Sequence, residues 1–239
     1  MVEKILRRLL IEMNIYDKSG IFGYTQRLFA YNSNKIEGNK LNERQIASLF
    51  ETGSLLSNDI IIAKDVEETN GHFRMFNNML SNYEEKLSHK IIKQYHYEFK
   101  CGVYQDKLKE YIPGEYKKLS NIVSTISVSK PKDVYKDLDM LLNEYNNKKV
   151  ITLNDIAIFH AKYEKIHPFQ DGNGRTGRII ILKECLKNNI TPLIISDNNK
   201  YTYYDSLYCA QTNNDYNDLI ELFKYEQDNY LKNIKDFIN

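Results

Sequence analysis

The sequence predicts a mostly α-helical fold with one short β-hairpin. The 239 residues include only 10 glycines and 4 prolines, so few positions interrupt a helix. Apolar residues recur at helical spacing over most of the chain. One stretch departs from this pattern: residues 120–129 read SNIVSTISVS and are rich in β-branched residues, which favour strands.

Helical patterns fill the first hundred residues. Gly20 and Gly23 are expected to separate the first helix from the second. Asn42 is a favourable cap that opens the third helix, and Gly53 stops it. Ser88 is expected to cap the fifth. The predicted helices are 2–13, 24–36, 42–53, 59–80 and 88–100.

The hairpin is expected between residues 111 and 131, opened by the turn signal Pro113-Gly114. Helical periodicity then returns, with Thr152 or Asn154 as the cap of a helix that ends near Ile166. The remaining predicted helices are 132–146, 174–189, 201–212 and 215–236. We expect two parts, N-terminal helices in residues 1–58 and a core in residues 59–239, and we expect them to pack together as one unit.

Composition excludes several classes of protein. A formal net charge of +1 disfavours generic binding to nucleic acid or to a membrane surface. Cys101, Cys185 and Cys209 are scattered and odd in number, which is typical of a reducing compartment. The longest apolar runs are too short to cross a bilayer. The sequence therefore predicts a cytoplasmic protein without membrane or nucleic-acid partners.

Residues 167–178, HPFQDGNGRTGR, combine a histidine, a carboxylate, three glycines and two arginines between two predicted helices. Glycines let a ligand approach the backbone closely. The helix after the loop begins with unpaired N–H groups and the positive end of its dipole. Arg175 and Arg178 add permanent charge in a fork geometry that fits phosphate. The segment therefore predicts a polyphosphate-binding loop.

A dinucleotide-binding loop is a weaker interpretation of the same residues. Gly172, Gly174 and Gly177 have the spacing of the GxGxxG fingerprint. That fingerprint needs a strand before it, whereas residues 155–166 predict a helix. A Walker loop is disfavoured because its terminal Gly-Lys-Ser/Thr is missing.

Two further interpretations of this region stay open. His160, Glu164 and His167 have the i, i+4, i+7 spacing of zinc ligands on one helical face. Pro168 opposes this, because it is expected to end the helix near His167. The glycine-rich segment could also be a plain turn between helices, although two arginines and an acid beside three glycines make that less favourable.

The whole segment resembles the signature of the Fic family in its nucleotide-transferring form, HPFx(D/E)GNGRxxR, and matches every fixed position. The resemblance covers about residues 59–225. Pro113–Tyr116 is similar to the lead-in of the family's β-hairpin flap, and Tyr201–Ala210 to its C-terminal part. The resemblance implies a Fic-like helical bundle with a target-docking flap at Ile122, Val123, Ser124, Thr125 and Ile126.

The resemblance also implies a role for each loop residue. His167 would be the general base that takes a proton from a target hydroxyl, and an unperturbed histidine pKa of ~6.5 suits that task. Phe169 would anchor the loop in the core. Asp171 would hold Mg²⁺, a hard cation that prefers carboxylate oxygen. The phosphates of ATP would be bound by Gly172, Asn173, Gly174, Arg175 and Arg178, with Arg175 on the β-phosphate and Arg178 on the γ-phosphate.

Upstream, the segment SNKIEG from Ser33 to Gly38 resembles the family's inhibitory motif, (S/T)xxxE(G/N). Ser33 and Glu37 are four residues apart and therefore share one helical face. By this resemblance, Glu37 would pair with Arg178 and occupy the position of the γ-phosphate. ATP would then bind with its α-phosphate misplaced. Relatives of this class are sometimes regulated by oligomerisation, so a homo-oligomer is a further expectation.

The resemblance implies a protein adenylyltransferase that transfers AMP from ATP to a Ser, Thr or Tyr hydroxyl of a target protein, or of itself, under inhibition by Glu37. Three alternatives stay open: removal of AMP with Glu37 orienting water, transfer of another nucleotide or phosphoryl group, and a regulatory module that binds nucleotide without turnover. The intact His167 disfavours the last, because a non-catalytic module does not need it.

Overall fold

The structure is a computed structural model that describes residues 1–55, 60–121 and 126–238. Within those ranges the chain forms eleven α-helices and one 3₁₀ helix, Asp197–Asn199. The α-helices are α1 (Val2–Asn14), α2 (Ile21–Ile36), α3 (Glu43–Thr52), α4 (Ala63–Ser81), α5 (His89–Lys100), α6 (Tyr104–Leu108), α7 (Val134–Asn146), α8 (Leu153–Ile166), α9 (Asn173–Lys187), α10 (Lys200–Asn213) and α11 (Asn217–Ile238).

Local capping signals set several of these helix ends. The Asn42 and Gln45 side chains each accept a hydrogen bond from the other's backbone N–H, both at 2.9 Å. Thr152 and Asp155 form the same reciprocal box at the start of α8. Gly53 ends α3 in the left-handed region, at φ 71°. The predicted start and stop of α3 are confirmed, and Thr152 rather than Asn154 is the cap of α8.

The helical prediction was wrong at two places. Gly23 does not break a helix but lies inside α2, which begins after the extended residue Gly20. A side chain at Gly23 would overlap the Lys18 carbonyl oxygen, so this glycine permits close approach of the preceding turn. The sequence also missed α6, Tyr104–Leu108, because a helix of five residues is too short to show a periodicity.

The predicted flap falls mainly outside the described residues. Ile122, Val123, Ser124 and Thr125 all lie between 121 and 126, and the remaining flap residue, Ile126, is half-buried. Apart from the single bridge residue Ile126, the described ranges contain no β structure. The fold is therefore all-helical over those ranges, and the hairpin stays a prediction.

Helix α9 lies at the centre of the core and packs against α2, α4, α5 and α8. Ile179, Ile180 and Leu182 belong to the main hydrophobic cluster, while Ile181 and Cys185 belong to a second cluster on another side of the helix. Nearly every residue of α9 is buried, and a helix packed on all sides at the density of a protein interior is held rigidly by its neighbours. The first turn of α9, which carries the glycine-rich loop, is therefore fixed where four helices meet.

The N-terminal helices are part of the same packing. Ile5 and Leu9 of α1 lie in the main cluster with Tyr230 of α11, and α2 contacts α4 and α9. The predicted boundary at residue 58 falls among residues 56–59, outside the described ranges, and stays a prediction. No helix in the described part of the chain combines the length and the apolar content needed to cross a membrane.

Candidate active site

The loop between α8 and α9 begins with a sharp reversal at His167. This residue has φ 52°, in the left-handed region that non-glycine residues rarely adopt, and its N–H still donates to the Tyr163 carbonyl at 3.0 Å. Asn173 closes the loop from the other end. Its side chain accepts from Phe169 N at 2.7 Å and donates to Phe169 O at 2.8 Å. The Asn173 side chain therefore ties the two halves of the loop together.

His96, on α5, packs against the loop from the core side. The sequence did not predict this contact. The His96 ring stacks on the fully buried Phe169 with centroids 3.8 Å apart. Gly114 N–H donates to His96 Nδ1 at 2.9 Å, so the proton is on Nε2, which donates to the Asp171 carbonyl at 3.0 Å. Burial lowers the pKa of His96 to about 3, so this tautomer persists at neutral pH. Phe169 anchors the loop in the core, as expected.

The chain that leads to the predicted flap runs beside the loop. Lys117 N–H donates to the Pro168 carbonyl at 2.9 Å, and Leu119 N–H donates to the Gln170 side chain at 3.2 Å. Asn121 donates to the Phe169 carbonyl at 3.3 Å. These contacts bring the last described residues before the predicted flap next to the loop.

His167 sits half-buried beside this segment, and its Nδ1 atom is buried without a hydrogen-bond partner in the described part of the chain. Burial, and secondly the positive charge of Lys117, lower the pKa of His167 to about 4. The expectation of an ordinary histidine pKa is therefore wrong. The ring is neutral at physiological pH, which is the form that accepts a proton.

Asp171 is surrounded by cations. Its Oδ1 lies 3.1 Å from Arg175, and its Oδ2 lies 2.9 Å from Lys100 and 3.3 Å from Lys64. Burial alone would raise the pKa of Asp171, but the charges of Arg175, Lys100 and Lys64 outweigh it and hold that pKa well below its usual range. The carboxylate is ionised, and its side chain is 32% exposed.

Asp171 fits a magnesium site of the kind that substrate phosphates complete. No group of three or more His, Cys, Asp or Glu side chains that could hold a metal by itself occurs in residues 1–55, 60–121 and 126–238. Mg²⁺ commonly takes one or two carboxylates together with nucleotide phosphates and water. Asp171, one ionised and partly exposed carboxylate beside the first turn of α9, meets the part of that requirement that falls to the protein.

The zinc and dinucleotide interpretations find no support in this geometry. The ring of His160 is directed to Tyr203, with 2.7 Å between Nε2 and the hydroxyl, and the described residues contain no group of three or more His, Cys, Asp or Glu side chains that could hold a metal. Helix α8, rather than a strand, precedes the glycines. Glu164 is buried with an unpartnered Oε1, and burial raises its pKa to about 8.

Arg178 and the Ser33–Glu37 segment meet on α9, although more than 140 residues separate them in sequence. Arg178 donates to the Ser33 hydroxyl at 3.0 Å, to the Ser33 carbonyl at 2.8 Å and to Glu37 Oε1 at 2.8 Å. Burial raises the pKa of Glu37, but the charges of Arg178 and Arg175 reverse this and lower it overall. Glu37 and Arg178 therefore form an ion pair across the site.

The Glu37 carboxylate covers the first turn of α9. A side chain at Gly174 would overlap Glu37 Oε1, so the carboxylate lies directly against this glycine. The first amides of a helix have no carbonyl partner within it and attract anions. Glu37 thus occupies the surface at which a phosphate would be expected, and the Tyr204 hydroxyl donates to the Ile36 carbonyl beside it at 3.1 Å.

The amino-acid sequence of this chain is similar to those of known proteins. Residues 86–185, which include most of the loop's supporting helices, match the Fic/DOC family. Protein adenylyltransferase fic-1 of Caenorhabditis elegans is 26% identical over 196 residues, which is 78% of this chain and 37% of that protein. Protein adenylyltransferase Fic of Aedes aegypti is 28% identical over 193 residues, 75% of this chain and 36% of that protein. The chain thus spans little more than a third of these distant homologues.

Solved structures show the same fold. A Fic domain containing signaling protein from Bacteroides thetaiotaomicron superposes with a TM-score of 0.77 at 22% identity, covering 98% of this chain and 95% of that one. Fic-1 of C. elegans, residues 134–508, also gives 0.77, at 19% identity, and covers 98% of this chain and 72% of that one. Likeness at this identity identifies a Fic-like arrangement of helices.

Proposed function

From the match of residues 86–185 to the Fic/DOC family we propose that this chain transfers AMP from ATP to a hydroxyl side chain of a target protein. One observation carries the proposal. A neutral histidine, an ionised aspartate and two buried arginines lie in and around the first turn of a central helix. Distant homology to protein adenylyltransferases supports the same reaction.

His167 acts as the general base. It takes the proton of the target hydroxyl while the oxygen attacks the α-phosphorus, and the bond from that phosphorus to the bridging oxygen of the β-phosphate breaks. AMP becomes attached to the target and pyrophosphate leaves. A neutral His167 is ready to accept this proton, and a bound polyphosphate raises the pKa of the imidazole because nearby negative charge favours its protonated form.

The first turn of α9 binds the phosphates. The N–H groups of Asn173, Gly174 and Arg175 point from the helix start, where the dipole also favours an anion. Arg175 binds the β-phosphate and Arg178 the γ-phosphate, each as a buried guanidinium with fixed geometry. When bound by Asp171 and the phosphates, Mg²⁺ supplies neutralisation of the charge that the leaving pyrophosphate carries.

Glu37 inhibits the transfer. Its carboxylate is paired with the guanidinium that would bind the γ-phosphate and lies against Gly174. ATP then binds with its γ-phosphate displaced, so the α-phosphorus is out of line with the hydroxyl and His167. Ser33 supports this arrangement because its hydroxyl and carbonyl hold the other side of Arg178.

Removal of AMP from a modified target is the second candidate function. The position of Glu37 favours it, since an ionised carboxylate that lies over the phosphate-binding turn can orient a water toward the α-phosphorus. In that reaction the same residue that restrains transfer would take the proton of the attacking water.

The target segment docks beside His167 through the flap. Lys117, Leu119 and Asn121 bring the chain that enters the flap alongside the catalytic loop. A strand edge there would register a peptide through backbone hydrogen bonds, which do not demand a particular sequence. A Ser, Thr or Tyr hydroxyl of the target would then reach the base.

Labelled ATP tests the proposed reaction. The Glu37→Gly protein is incubated with Mg²⁺ and with ATP labelled either at the α- or at the γ-phosphate, and label on protein is counted. Transfer of AMP deposits the α-label and not the γ-label. Deposition of the γ-label alone would instead identify phosphoryl transfer, and would refute the proposal.

A further inference from the structure

Behind Asp171 lies a buried group of charges that no part of the loop motif includes. Its members are Glu68 on α4, Lys100 at the end of α5 and Asp106 on α6, which we call the Lys100 cluster. The Lys100 ammonium is in ion-pair contact with three carboxylates, at 2.7 Å from Asp106, 2.8 Å from Glu68 and 2.9 Å from Asp171. Only 3% of its side chain is exposed.

Lys100 and two neighbouring cations leave neither oxygen of Asp171 free. Lys100 and Lys64 both contact Oδ2, and Arg175 contacts Oδ1. A Mg²⁺ ion binds carboxylate oxygen at roughly 2.0–2.1 Å, which brings it close to any cation already on that oxygen. A metal that binds Asp171 must therefore displace at least one of these positive groups or bind against their repulsion.

We propose that Lys100 is a positioning residue that competes with the divalent cation for Asp171 and so weakens the binding of metal with nucleotide. The proposal rests on the proposed function for the role of Asp171. In the resting protein Lys100 keeps the carboxylate oriented and neutralised. When metal and nucleotide arrive, the ammonium yields Oδ2.

The surrounding contacts allow this exchange without stranding a charge. After leaving Asp171, Lys100 keeps Glu68 and Asp106 as partners. Arg175 likewise keeps Glu68, since its Nη1 lies 2.9 Å from Glu68 Oε2. Glu68, with 4% of its side chain exposed, thus remains paired with both Lys100 and Arg175 when they leave Asp171. Lys64 is more exposed than either and can turn toward solvent.

The test is the affinity for Mn²⁺ in the presence of α,β-methylene-ATP, which cannot transfer AMP, measured on the full chain from the electron paramagnetic resonance signal of free Mn²⁺. Lys100→Met removes the competing charge and keeps the length of the side chain. We expect Mn²⁺ to bind about tenfold more tightly, because a unit charge this close to a metal ligand repels the metal even at an effective dielectric constant near 20. A merely structural role for Lys100 predicts unchanged or weaker binding.

Two companion variants keep the test decisive. Lys100→Met leaves Asp106 without its cation, so Lys100→Met with Asp106→Asn removes both charges together and must show the same gain if the single variant does not fold. Lys109→Met is the matched control. Lys109 is exposed and lines a cavity of about 190 Å³ that Lys100 and Asp171 also line, and it has no ion pair with Asp171 among the described residues. Its Mn²⁺ affinity should equal that of the parent.

Equal or weaker Mn²⁺ binding by a folded Lys100 variant would overturn the proposal. It would also be overturned if neither the parent nor any variant bound Mn²⁺. A gain in metal affinity without incorporation of α-label would leave the competition intact and refute only the proposed AMP transfer. Incorporation of α-label without a gain in metal affinity would support the proposed AMP transfer and refute the competition by Lys100.

Discussion

The replacement Glu37→Gly is expected to raise AMP transfer. In the parent, Glu37 Oε1 accepts a hydrogen bond from Arg178 at 2.8 Å, with 27% of the Glu37 side chain exposed. Glycine deletes the carboxylate and uncovers Gly174. Arg178 keeps its two hydrogen bonds to Ser33, so the guanidinium stays in place for the γ-phosphate.

The size of the gain follows from the contact that is lost. A hydrogen bond to a charged group contributes about 1.5–3 kcal/mol. Since every 1.4 kcal/mol is tenfold in an equilibrium, release of Arg178 should raise the rate by about ten- to a hundredfold. Glu37 lies just after the last residue of α2, so the helix-propensity cost of glycine is below the ~1 kcal/mol of an interior position.

The assay is incorporation of α-labelled AMP at saturating ATP and Mg²⁺, on a target and on the protein itself. Glu37→Gln is the matched control, because it keeps the size of the side chain and removes the charge; its gain should be smaller than that of glycine. If Glu37→Gly is no faster than the parent while it remains folded, the inhibitory interpretation is wrong. Loss of AMP release from a modified target would then assign Glu37 to AMP removal.

Two further predictions concern histidines. His167→Ala in the Glu37→Gly background should lose transfer by ~10²–10⁴-fold, the usual contribution of a general base, with unchanged thermal unfolding; retention of α-label incorporation would refute the base assignment. Burial lowers the pKa of His72 to about 3, and both its ring nitrogens are buried without partners among the described residues. Because the unfolded chain takes up this proton near pH ~6.5 and the folded chain does not, stability falls as pH drops from there toward 3. His72→Phe should remove up to about 1.4 kcal/mol per pH unit from that slope in denaturant titrations between about pH 4 and about pH 5.5, where the unfolded histidine is protonated and the folded one is not; an unchanged slope would contradict the neutral state of His72.

Features that short segments specify could be predicted from the sequence. The starts of α3 and α8 depend on residues three positions apart: the predicted cap Asn42 is confirmed, and of the two predicted caps of α8 the structure has Thr152. The Ser33–Glu37 face of α2 follows from helical spacing alone. The meeting of that face with Arg178 joins residues more than 140 positions apart, so only the family resemblance could suggest it.

The supports of the loop could not be predicted for the same reason. His96 and Lys100 contact Asp171 from 75 and 71 residues away, and Glu68 reaches Arg175 across 107 residues. Single histidines, lysines and glutamates on helices carry no local signal of burial. The same long-range packing determines the low pKa of His167, because burial and Lys117, rather than its neighbours in sequence, produce it.

The most direct measurement of the central claim is the intact mass of the Glu37→Gly protein after incubation with Mg²⁺ and ATP, with fragmentation to locate any modification. AMP transfer predicts an added mass of one AMP unit, carried by a Ser, Thr or Tyr side chain and missing when His167 is replaced by alanine. An added mass of a single phosphate, or an AMP increment that persists without His167, would contradict the proposed reaction.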